Sequence, residues 1–591
     1  MRRLSCCVAM VASVALTGCS GGSSSDGGGG GSCTNTCSTA NATQCSGTQV
    51  QTCLTGSDGC LAWSAPAACP DAGLCSASAN ACVADPCGGM PVDGVCASAS
   101  TVSYCGVPTG EGAPRVLTYA CSAGESCQVQ SGKARCVITG DCRAGTTECV
   151  NATTLRTCNA GSWGTTTCSS ACRATTLGAS CGAAGALKTL TGTVLYEART
   201  PNVGLTDWAS TPNQYYAPLF LVLSRGAGGL YDAVYTSAAA GSLGTFSIQV
   251  PEVPGPEDRI VVAAAADDGA GGLAFAVASP GFATSGEREP GTIGTPALWS
   301  WVWQTGSLTN GQNLVITEAM GSGAANVYFN MLVAYAVAYD QYQRLGPSLI
   351  VWVGSGATWT CGACFGPFPT TAFGLPFASQ IWIGASPTDQ AYWSDAVNEH
   401  ELGHWAMASF GASPGEGGPH FLGRPTFPGQ AWSEGWATWF SSAVRGDSLY
   451  YDKQSGSFFW MDIAGADYSS GSAFVQPRAS DGLLQLLDEN EVAAMMWRVS
   501  RSGAGAADAV FQALASPRMT TPVATRGYTR HRWGFDNSGN FVNVVDTGVS
   551  APSFGDFLDA LNCAGFSRAS IDAATIPGTQ FPYPSATPIC N

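Results

Sequence analysis

Twenty cysteines lie between Cys33 and Cys181, and this density restricts the fold of the 591-residue chain more than any other feature. Eighteen of them form three sets of six with similar spacing: Cys37, Cys45, Cys53, Cys69, Cys75 and Cys82; Cys87, Cys96, Cys105, Cys121, Cys127 and Cys136; and Cys142, Cys149, Cys158, Cys168, Cys172 and Cys181. Units of this size cannot fold around an apolar core alone, so disulfide bonds must hold them together. Such bonds persist in an oxidising compartment, which predicts that the protein is exported.

Each six-cysteine unit has a similar segment between its second and third cysteines. The segments read CSGTQVQTC, CASASTVSYC and CVNATTLRTC, and their alternating Thr, Val and Leu residues predict one short strand per unit. Cys33 and Cys60 are left over and can pair with each other. The region has no histidine and no paired C-x₂-C knuckles, which argues against zinc ribbons. Residues 33–184 are therefore predicted to be three disulfide-rich repeats.

The N-terminus reads MRRLSCCVAMVASVALTGC, with two arginines followed by an apolar run. The run is too short to span a bilayer as a permanent helix and is typical of a signal peptide over residues 1–18. Its last four residues, ending at Cys19, resemble the lipobox of bacterial lipoproteins. This resemblance implies cleavage before Cys19 and a lipid anchor on it, and the serine that follows favours an outer-membrane location. An ordinary signal peptide is the alternative. Residues 19–32 form a Gly/Ser-rich linker.

The chain as a whole is acidic and contains few charged residues. A formal net charge of −16, with only 11% charged residues, argues against nucleic acid as a partner.

Residues 185–298 contain short alternating or apolar runs broken by Gly, Pro, Asn and Asp, which predict an antiparallel β-sandwich. The order of these runs resembles the transthyretin-like domains of secreted peptidases. No catalytic pattern occurs here, so a spacer or binding module is expected.

Residues 299–591 differ again and are predicted to be an α+β domain. A long helical pattern covers 326–346, two strand patterns cover 348–354 and 380–386, and helical patterns follow at 432–444, 488–500 and 554–566. Two cysteine pairs also lie in this part. We expect a local disulfide between Cys361 and Cys364, and a second one between Cys563 and Cys590 that ties down the C-terminus.

The motif His400-Glu401-Leu402-Gly403-His404 indicates a zinc site, although the chain has only four histidines. Residues four apart share one face of a helix, so both imidazoles can reach one metal ion. Glu401 can reach a water bound to the same ion and take its proton. Gly403 has no side chain, so another element can approach the helix closely at this point.

The third protein ligand is less obvious than the first two. The positions where a metzincin would carry Gly and a third His are Met407 and Phe410, which excludes that family. His420 lies in a loop that offers little to orient its ring. Glu434 lies in AWSEGWATWF, where a carboxylate among tryptophans would be costly to bury unless a cation is bound to it. The residues favour Glu434 and leave His420 as the alternative.

HELGH followed by a helix reading SEGWA resembles the gluzincin clan of zinc metallopeptidases, which includes thermolysin-like and aminopeptidase-like enzymes. The resemblance implies a zincin-like fold, Zn²⁺ held by His400, His404 and Glu434, and Glu401 as the general base. It further implies that residues 380–386 form an edge strand on which a peptide docks. Thermolysin-like enzymes carry an acidic residue four positions after the third ligand, where this chain has Thr438.

The group that stabilises the tetrahedral intermediate is not marked by a motif. The segment GYTRHRWGF groups Tyr528 and His531, and either one could donate a hydrogen bond to the oxyanion; a solvated loop is the alternative. Taken together, the sequence predicts a lipid-anchored, extracytoplasmic zinc metallopeptidase, with an endopeptidase favoured and a protein or peptide as substrate. The alternative is a non-enzymatic surface adhesin in which the repeats bind a partner and the zinc fold is a relic.

Overall fold

A computed structural model describes residues 35–591 except 47–48, 57–58, 70–73, 77–80, 84–86, 92–93, 107–114, 122, 131–132, 184, 270–271, 415–419, 421–425, 427, 470–487, 521–529, 536–540, 547–551, 576–587, 589 and 591. The described chain is rich in strands up to residue 383, and most of its helices follow that point. The predicted signal peptide, the whole predicted linker with Cys19, and Cys33 lie outside the described residues.

The cysteine-rich part consists of small antiparallel sheets. Its strands are β1 Thr43–Ser46, β2 Gln49–Thr55, β3 Leu61–Trp63, β4 Ala67–Ala68, β5 Leu74–Ser76, β6 Ala81–Val83, β7 Val95–Ser98, β8 Thr101–Gly106, β9 Arg115–Ala120, β10 Glu125–Gln130, β11 Lys133–Ile138, β12 Thr147–Asn151, β13 Thr154–Asn159, β14 Ser162–Thr167, β15 Cys172–Thr175 and β16 Gly178–Cys181. The segment between the second and third cysteines of each unit is a hairpin of two strands, where one strand was predicted. In two units, Ser98 and Asn151 accept the N–H two residues later, which stabilises the turn.

The disulfide bonds of the three units follow one pattern. In the third unit the first cysteine pairs with the third, the second with the fifth and the fourth with the sixth: Cys142–Cys158, Cys149–Cys172 and Cys168–Cys181. The bonds Cys37–Cys53, Cys69–Cys82, Cys96–Cys127 and Cys121–Cys136 occupy the equivalent positions of the other two units. The shared connectivity shows that the three units are structural repeats.

The next part of the chain contains two four-stranded sheets that share a core. The strands from here to residue 316 are β17 Leu187–Ala198, β18 Asn213–Tyr216, β19 Leu221–Gly226, β20 Gly229–Tyr235, β21 Thr245–Pro251, β22 Arg259–Ala263, β23 Ala265–Asp267, β24 Leu273–Ser279, β25 Gly286–Arg288, β26 Ala297–Leu298, β27 Ser300–Gln304 and β28 Gln312–Ile316. One sheet has the order β18-β17-β21 with β28 beside β17, and the other has the order β20-β19-β22-β27. All pairs are antiparallel except β17 with β28. Side chains such as Val194, Val222 and Ile248 fill the space between the sheets.

A further sheet contains both parallel and antiparallel pairs and has the order β23-β24-β29-β34-β31, with β26 beside β24. The remaining strands are β29 Leu349–Val353, β30 Ala357–Trp359, β31 Cys364–Gly366, β32 Thr370–Ala372, β33 Leu375–Phe377, β34 Ser379–Ile383, β35 Leu449–Gln454, β36 Ser457–Asp462, β37 Asp467–Tyr468, β38 Arg530–Phe535 and β39 Phe541–Asp546. β23 and β24 precede residue 298 and pair into this sheet, whereas β27 and β28 follow it and pair into the sandwich. Strand pairing and one continuous core therefore join the two parts.

Eight α-helices and three short 3₁₀ segments are described. The α-helices are α1 Ser322–Tyr342, α2 Asp395–Phe410, α3 Pro428–Arg445, α4 Glu489–Ser500, α5 Ala506–Leu514, α6 Pro517–Thr520, α7 Phe554–Cys563 and α8 Arg568–Thr575. The 3₁₀ segments are Thr305–Ser307, Glu318–Met320 and Ala391–Trp393. The predicted disulfides Cys361–Cys364 and Cys563–Cys590 are confirmed. Among the described helices, none is long and apolar enough to cross a lipid bilayer.

The prediction that residues 380–386 form an edge strand is wrong. β34 begins at Ser379 and ends at Ile383, and it pairs with β29 on one side and with β31 on the other. The short antiparallel strand β31 therefore forms the edge of the sheet. All five residues of β34 are buried, which is typical of an internal strand and not of an exposed edge.

Candidate metal centre

Helix α2 carries the HELGH motif and begins at a well-formed N-cap. The Ser394 hydroxyl accepts from the Val397 N–H at 3.1 Å, which satisfies a backbone donor of the first turn. His400 and His404 lie one turn apart, and their imidazole rings are nearly perpendicular, with centroids 4.8 Å apart. Both side chains are largely buried, with 8% and 13% of their surface exposed. The helix therefore presents two imidazoles to one point.

Close contact between α2 and α3 brings Glu434 to the same point. A Cβ on Gly403 would lie 2.8 Å from the Cα of Ala437, so only glycine permits this approach. The expectation that Gly403 admits another element is thereby confirmed. The Trp436 indole N–H also donates to the Gly403 carbonyl at 3.0 Å, which fixes the register of the two helices.

The three side chains converge on an almost equilateral triangle of ligand atoms. His400 Nε2, His404 Nε2 and Glu434 Oε2 are each 3.1 Å from the other two. The centre of such a triangle is about 1.8 Å from each corner, close to the usual zinc–ligand distance of about 2.0–2.1 Å, so the three atoms are near enough to one another to bind one ion. Within the described residues, this is the one cluster of His, Cys, Asp or Glu side chains suited to holding a metal ion.

Hydroxyl groups contact the outer nitrogen of each imidazole. His400 Nδ1 lies 3.1 Å from Thr438 Oγ1, and His404 Nδ1 lies 3.1 Å from Ser433 Oγ. Donation from Nδ1–H to these oxygens leaves the Nε2 lone pairs pointing into the triangle, which is the tautomer that ligates a metal. Thr438 thus occupies the place where thermolysin-like enzymes were expected to have a carboxylate. Ser433 directly precedes Glu434, and the sequence analysis did not single it out.

The charge state of the cluster also suits a cation. Burial opposes ionisation of Glu434, but the imidazoles of His404 and His420 outweigh it and hold the pKa of this carboxyl well below its usual range. Burial lowers the pKa of His400, which favours its neutral form. At His404, burial is outweighed by the Glu434 carboxylate, which raises the pKa of the imidazole. A carboxylate beside two imidazoles in a site shielded from water can attract Zn²⁺, and the residues present therefore fit this ion.

Glu401 lies on the same helix between the two histidines. It is 4% exposed, and burial raises the pKa of its carboxyl to about 8. Its Oε2 atom is buried and has no hydrogen-bond partner among the described residues. An acceptor left unpaired in a buried site is costly unless a further group binds there. A water bound to a metal ion at this site would give the Glu401 oxygen a hydrogen-bond partner.

His420 lies at the open side of the cluster and is not one of its three ligands. Its Nε2 atom is 3.9 Å from Glu434 Oε2, whereas its Nδ1 atom forms an ion pair with Glu489 Oε2 at 2.7 Å. Burial lowers the pKa of His420, but the carboxylates of Glu489 and Glu434 outweigh it and raise this pKa to about 10. His420 is therefore a cation at neutral pH, and its side chain remains 38% exposed.

Helix α4 supplies Glu489 because it packs tightly on α3. A Cβ on Gly435 would lie 2.5 Å from Val492 Cγ1 and 2.9 Å from the Glu489 carbonyl oxygen. This second glycine contact places the first turn of α4 beside the site. The sequence offered one signal for this role, a run of acidic residues at the start of an otherwise apolar helix, and the sequence analysis did not use it.

A tyrosine borders the cluster from the hairpin β35–β36. The Tyr450 ring lies edge-on to the His400 ring, with centroids 5.7 Å apart. Burial, together with the carboxylates of Asp452 and Glu401, raises the pKa of Tyr450 well above its ordinary value, so it stays protonated. Tyr450 is a second potential donor beside the ligands, and nothing in its sequence context pointed to this role.

The two residues predicted to stabilise the oxyanion are not placed at the site. Tyr528 lies outside the described residues. His531 lies in β38, opposite Val545 of β39, and its side chain is outside the described part as well. Their predicted roles stay predictions, and His420 and Tyr450 are the donors that the described residues bring to the cluster.

Part of the chain is similar to a known protein family. Residues 380–532 match the family model of the mycolysin C-terminal domain. The matched segment contains the three ligand residues together with Glu401, and it extends through α4. A search of curated proteins finds none that matches this chain.

Proposed function

We propose that this protein is a zinc-dependent peptidase. The observation that carries the proposal is the triangle of His400, His404 and Glu434 ligand atoms, with sides of 3.1 Å, beside the unpaired carboxylate of Glu401. The similarity of residues 380–532 to the mycolysin C-terminal domain supports a relation to thermolysin-like peptidases. A zincin-like catalytic domain and a transthyretin-like sandwich are parts of the same proposal.

The mechanism assigns a proton to each step. His400, His404 and Glu434 would hold the zinc ion, which when bound would lower the pKa of a water and polarise the scissile carbonyl. Glu401 takes a proton from the water as its oxygen attacks the carbonyl carbon. Glu401 then delivers this proton to the amide nitrogen, the carbon–nitrogen bond breaks, and an amine and a carboxylic acid leave, the second water proton remaining on the acid. Burial of Glu401 suits the first of these steps, because it raises the affinity of the carboxylate for the proton.

His420 and Glu489 supply the donor for the oxyanion in this proposal. The imidazolium is oriented by the Glu489 ion pair through Nδ1, so its Nε2–H remains available on the side of the metal ligands. A donor oriented in advance stabilises the charge that develops on the carbonyl oxygen. Tyr450 is a further donor on the His400 side. His420 is therefore proposed as the oxyanion donor and no longer as an alternative metal ligand, because its ring is held by Glu489.

The substrate is proposed to be an extended polypeptide. Among the described strands, β31 pairs with β34 alone, so its other edge can accept a peptide by strand addition. The Cys361–Cys364 disulfide closes the turn that leads into β31 and keeps this edge in place. An open edge, with no described element that recognises a free N-terminus, favours an endopeptidase. Export to the cell surface and a lipid anchor at Cys19 complete the proposal.

The test uses the mature chain rather than residues 299–591 alone, because the sandwich and the catalytic part share one core. Bound metal is measured by mass spectrometry, and cleavage is measured on casein. We expect one zinc per chain and cleavage in the wild type, zinc without cleavage in Glu401→Gln, and loss of zinc in Glu434→Ala. Glu399→Gln is the matched control, a buried glutamate on the same helix that pairs with Arg445, and it should keep both properties.

Absence of zinc in the wild type would refute the proposal and favour the adhesin reading, in which the repeats carry the function. Full zinc in Glu434→Ala would refute the assignment of the third ligand. Zinc with no cleavage of any polypeptide would leave the metal site intact and refute the peptidase.

A further inference from the structure

The hairpin β35–β36 lies between the metal-binding helix and the β-sandwich. On the helix side, the Ser394 hydroxyl donates to the Tyr451 carbonyl at 2.6 Å, and the Tyr451 hydroxyl donates to the Asp395 carboxylate. Ser394 is also the N-cap of α2, so the hairpin and the start of the helix share one hydrogen-bond network. The neighbouring Tyr450 ring is the one that lies against His400.

A loop of the sandwich holds the other side of the hairpin. The Trp208 ring is 6% exposed and meets the Tyr451 and Phe458 rings edge-on, with centroids 5.9 Å and 5.2 Å away. The adjacent Asp207 carboxylate forms an ion pair with Lys453 Nζ at 2.7 Å. Both strands of the hairpin are thus in contact with the residues that follow β17.

This loop has its own fixed geometry. It folds back on itself through backbone hydrogen bonds from Asn202 N to Asp207 O and from Ala209 N to Thr200 O, both 2.8 Å long. At its base, the Arg199 guanidinium pairs with both oxygens of Glu318, the first residue of the 3₁₀ segment that precedes α1. Because these two hydrogen bonds hold the backbone on either side of Trp208, which also forms a β-bridge with Pro201, the loop fixes the position from which the Trp208 ring projects.

We propose that Trp208 is a positioning residue of the metal centre, which acts through the hairpin on the orientation of the His400 ring. Trp208 packs on Tyr451, Tyr451 binds the N-cap of α2, and Tyr450 confines the imidazole from its edge. Groups that orient a metal ligand without touching the metal affect affinity by about 10- to 100-fold. The sandwich is therefore part of the metal centre rather than a spacer. This inference rests on the proposed zinc site but not on peptide hydrolysis.

The test measures zinc affinity in the full chain by competition with a chromogenic chelator, at a temperature at which all variants are folded. The variants are Trp208→Ala, Trp208→Phe and the control Phe246→Ala, which removes a buried sandwich ring opposite Gly192, six residues before the end of β17. We expect zinc affinity to fall about 10-fold in Trp208→Ala and to be largely restored in Trp208→Phe, which keeps an aromatic ring at this position. Phe246→Ala should lower the melting temperature without changing zinc affinity.

Two outcomes would overturn the inference. In the first, Trp208→Ala lowers the melting temperature as Phe246→Ala does but binds zinc like the wild type. In the second, both variants weaken zinc equally, which would show a general effect of stability. If the wild type binds zinc and cleaves no polypeptide, the proposed peptidase activity is refuted. The zinc affinities of the Trp208 and Phe246 variants would still test the role of Trp208.

Discussion

Substitution of Gly403 by alanine tests whether helix contact sets the geometry of the metal centre. The new Cβ would lie 2.8 Å from the Ala437 Cα and 3.2 Å from the Phe440 Cβ. These atoms are fixed to the backbone of α3 and cannot move aside as the end of a long side chain could. Carbon atoms in good contact are about 3.5–4.0 Å apart, so α3 must move away from α2 by roughly 1 Å at this point. Glu434 lies three residues before Ala437 on α3 and moves with it.

The expected effects on stability and on zinc differ in size. Overpacking costs about 1–3 kcal/mol, and the better helix propensity of alanine returns up to about 1 kcal/mol. The net loss of unfolding free energy is therefore modest. The ligand triangle, however, tolerates displacement of only about 0.2 Å before zinc distances leave their normal range. We expect zinc affinity to fall by at least 10-fold, together with the loss of the Trp436–Gly403 hydrogen bond.

The assay is chelator competition combined with thermal unfolding of the metal-free protein. Gly555→Ala is the matched control, because this helical glycine has only an ordinary contact at 3.8 Å with the Ser553 hydroxyl. It should keep its zinc affinity and be at least as stable as the wild type, because alanine has the better helix propensity. The reasoning would be refuted if Gly403→Ala lost stability but bound zinc as tightly as the wild type, since helix spacing would then not control the ligand geometry.

Three further outcomes follow from the same contacts. Thr438→Val should weaken zinc about 10- to 100-fold, and Thr438→Ser should restore most of it, since the imidazole N–H needs an acceptor; equal affinities in the two variants would contradict this role. Glu489→Gln should lower kcat and leave zinc content intact, whereas Glu491→Gln on the same helix should change kcat little; zinc loss in Glu489→Gln would instead point to a ligand role for His420. Removal of zinc with a chelator should lower the unfolding free energy by about 4 kcal/mol if the free ion stands at 1,000 times Kd, and an unchanged calorimetric transition would contradict a site built into the fold.

Local patterns were enough to find the first half of the site. His400, Glu401 and His404 lie within one helix, and their spacing alone places them relative to one another. Glu434 could be inferred because a lone carboxylate among tryptophans needs a compensating charge. The disulfides Cys361–Cys364 and Cys563–Cys590 were also accessible, since so few cysteines remain outside the repeats.

The groups around the ligands could not be found in this way. Glu489 and Tyr450 reach the cluster only because α4 and the hairpin pack against α3 and α2, and these contacts join distant parts of the chain. The edge strand was misassigned for the same reason, because an apolar run does not reveal whether one or two neighbours cover it. The disulfide pattern within each repeat likewise depends on which strands pair, and cysteine spacing does not specify that.

By itself, the sequence determined the chemistry that is available: two histidines that can hold a metal ion with a glutamate beside them, a candidate for a third ligand, and three disulfide-stapled repeats. These depend on residue type and short spacing, which are local properties. Only the tertiary structure decided how the chemistry is completed. Gly403 and Gly435 set the helix distances, His420 receives its charge from Glu489, and Trp208 of the sandwich reaches the metal helix through the hairpin. Such contacts arise where separate segments pack together, and packing depends on the shape of the whole core.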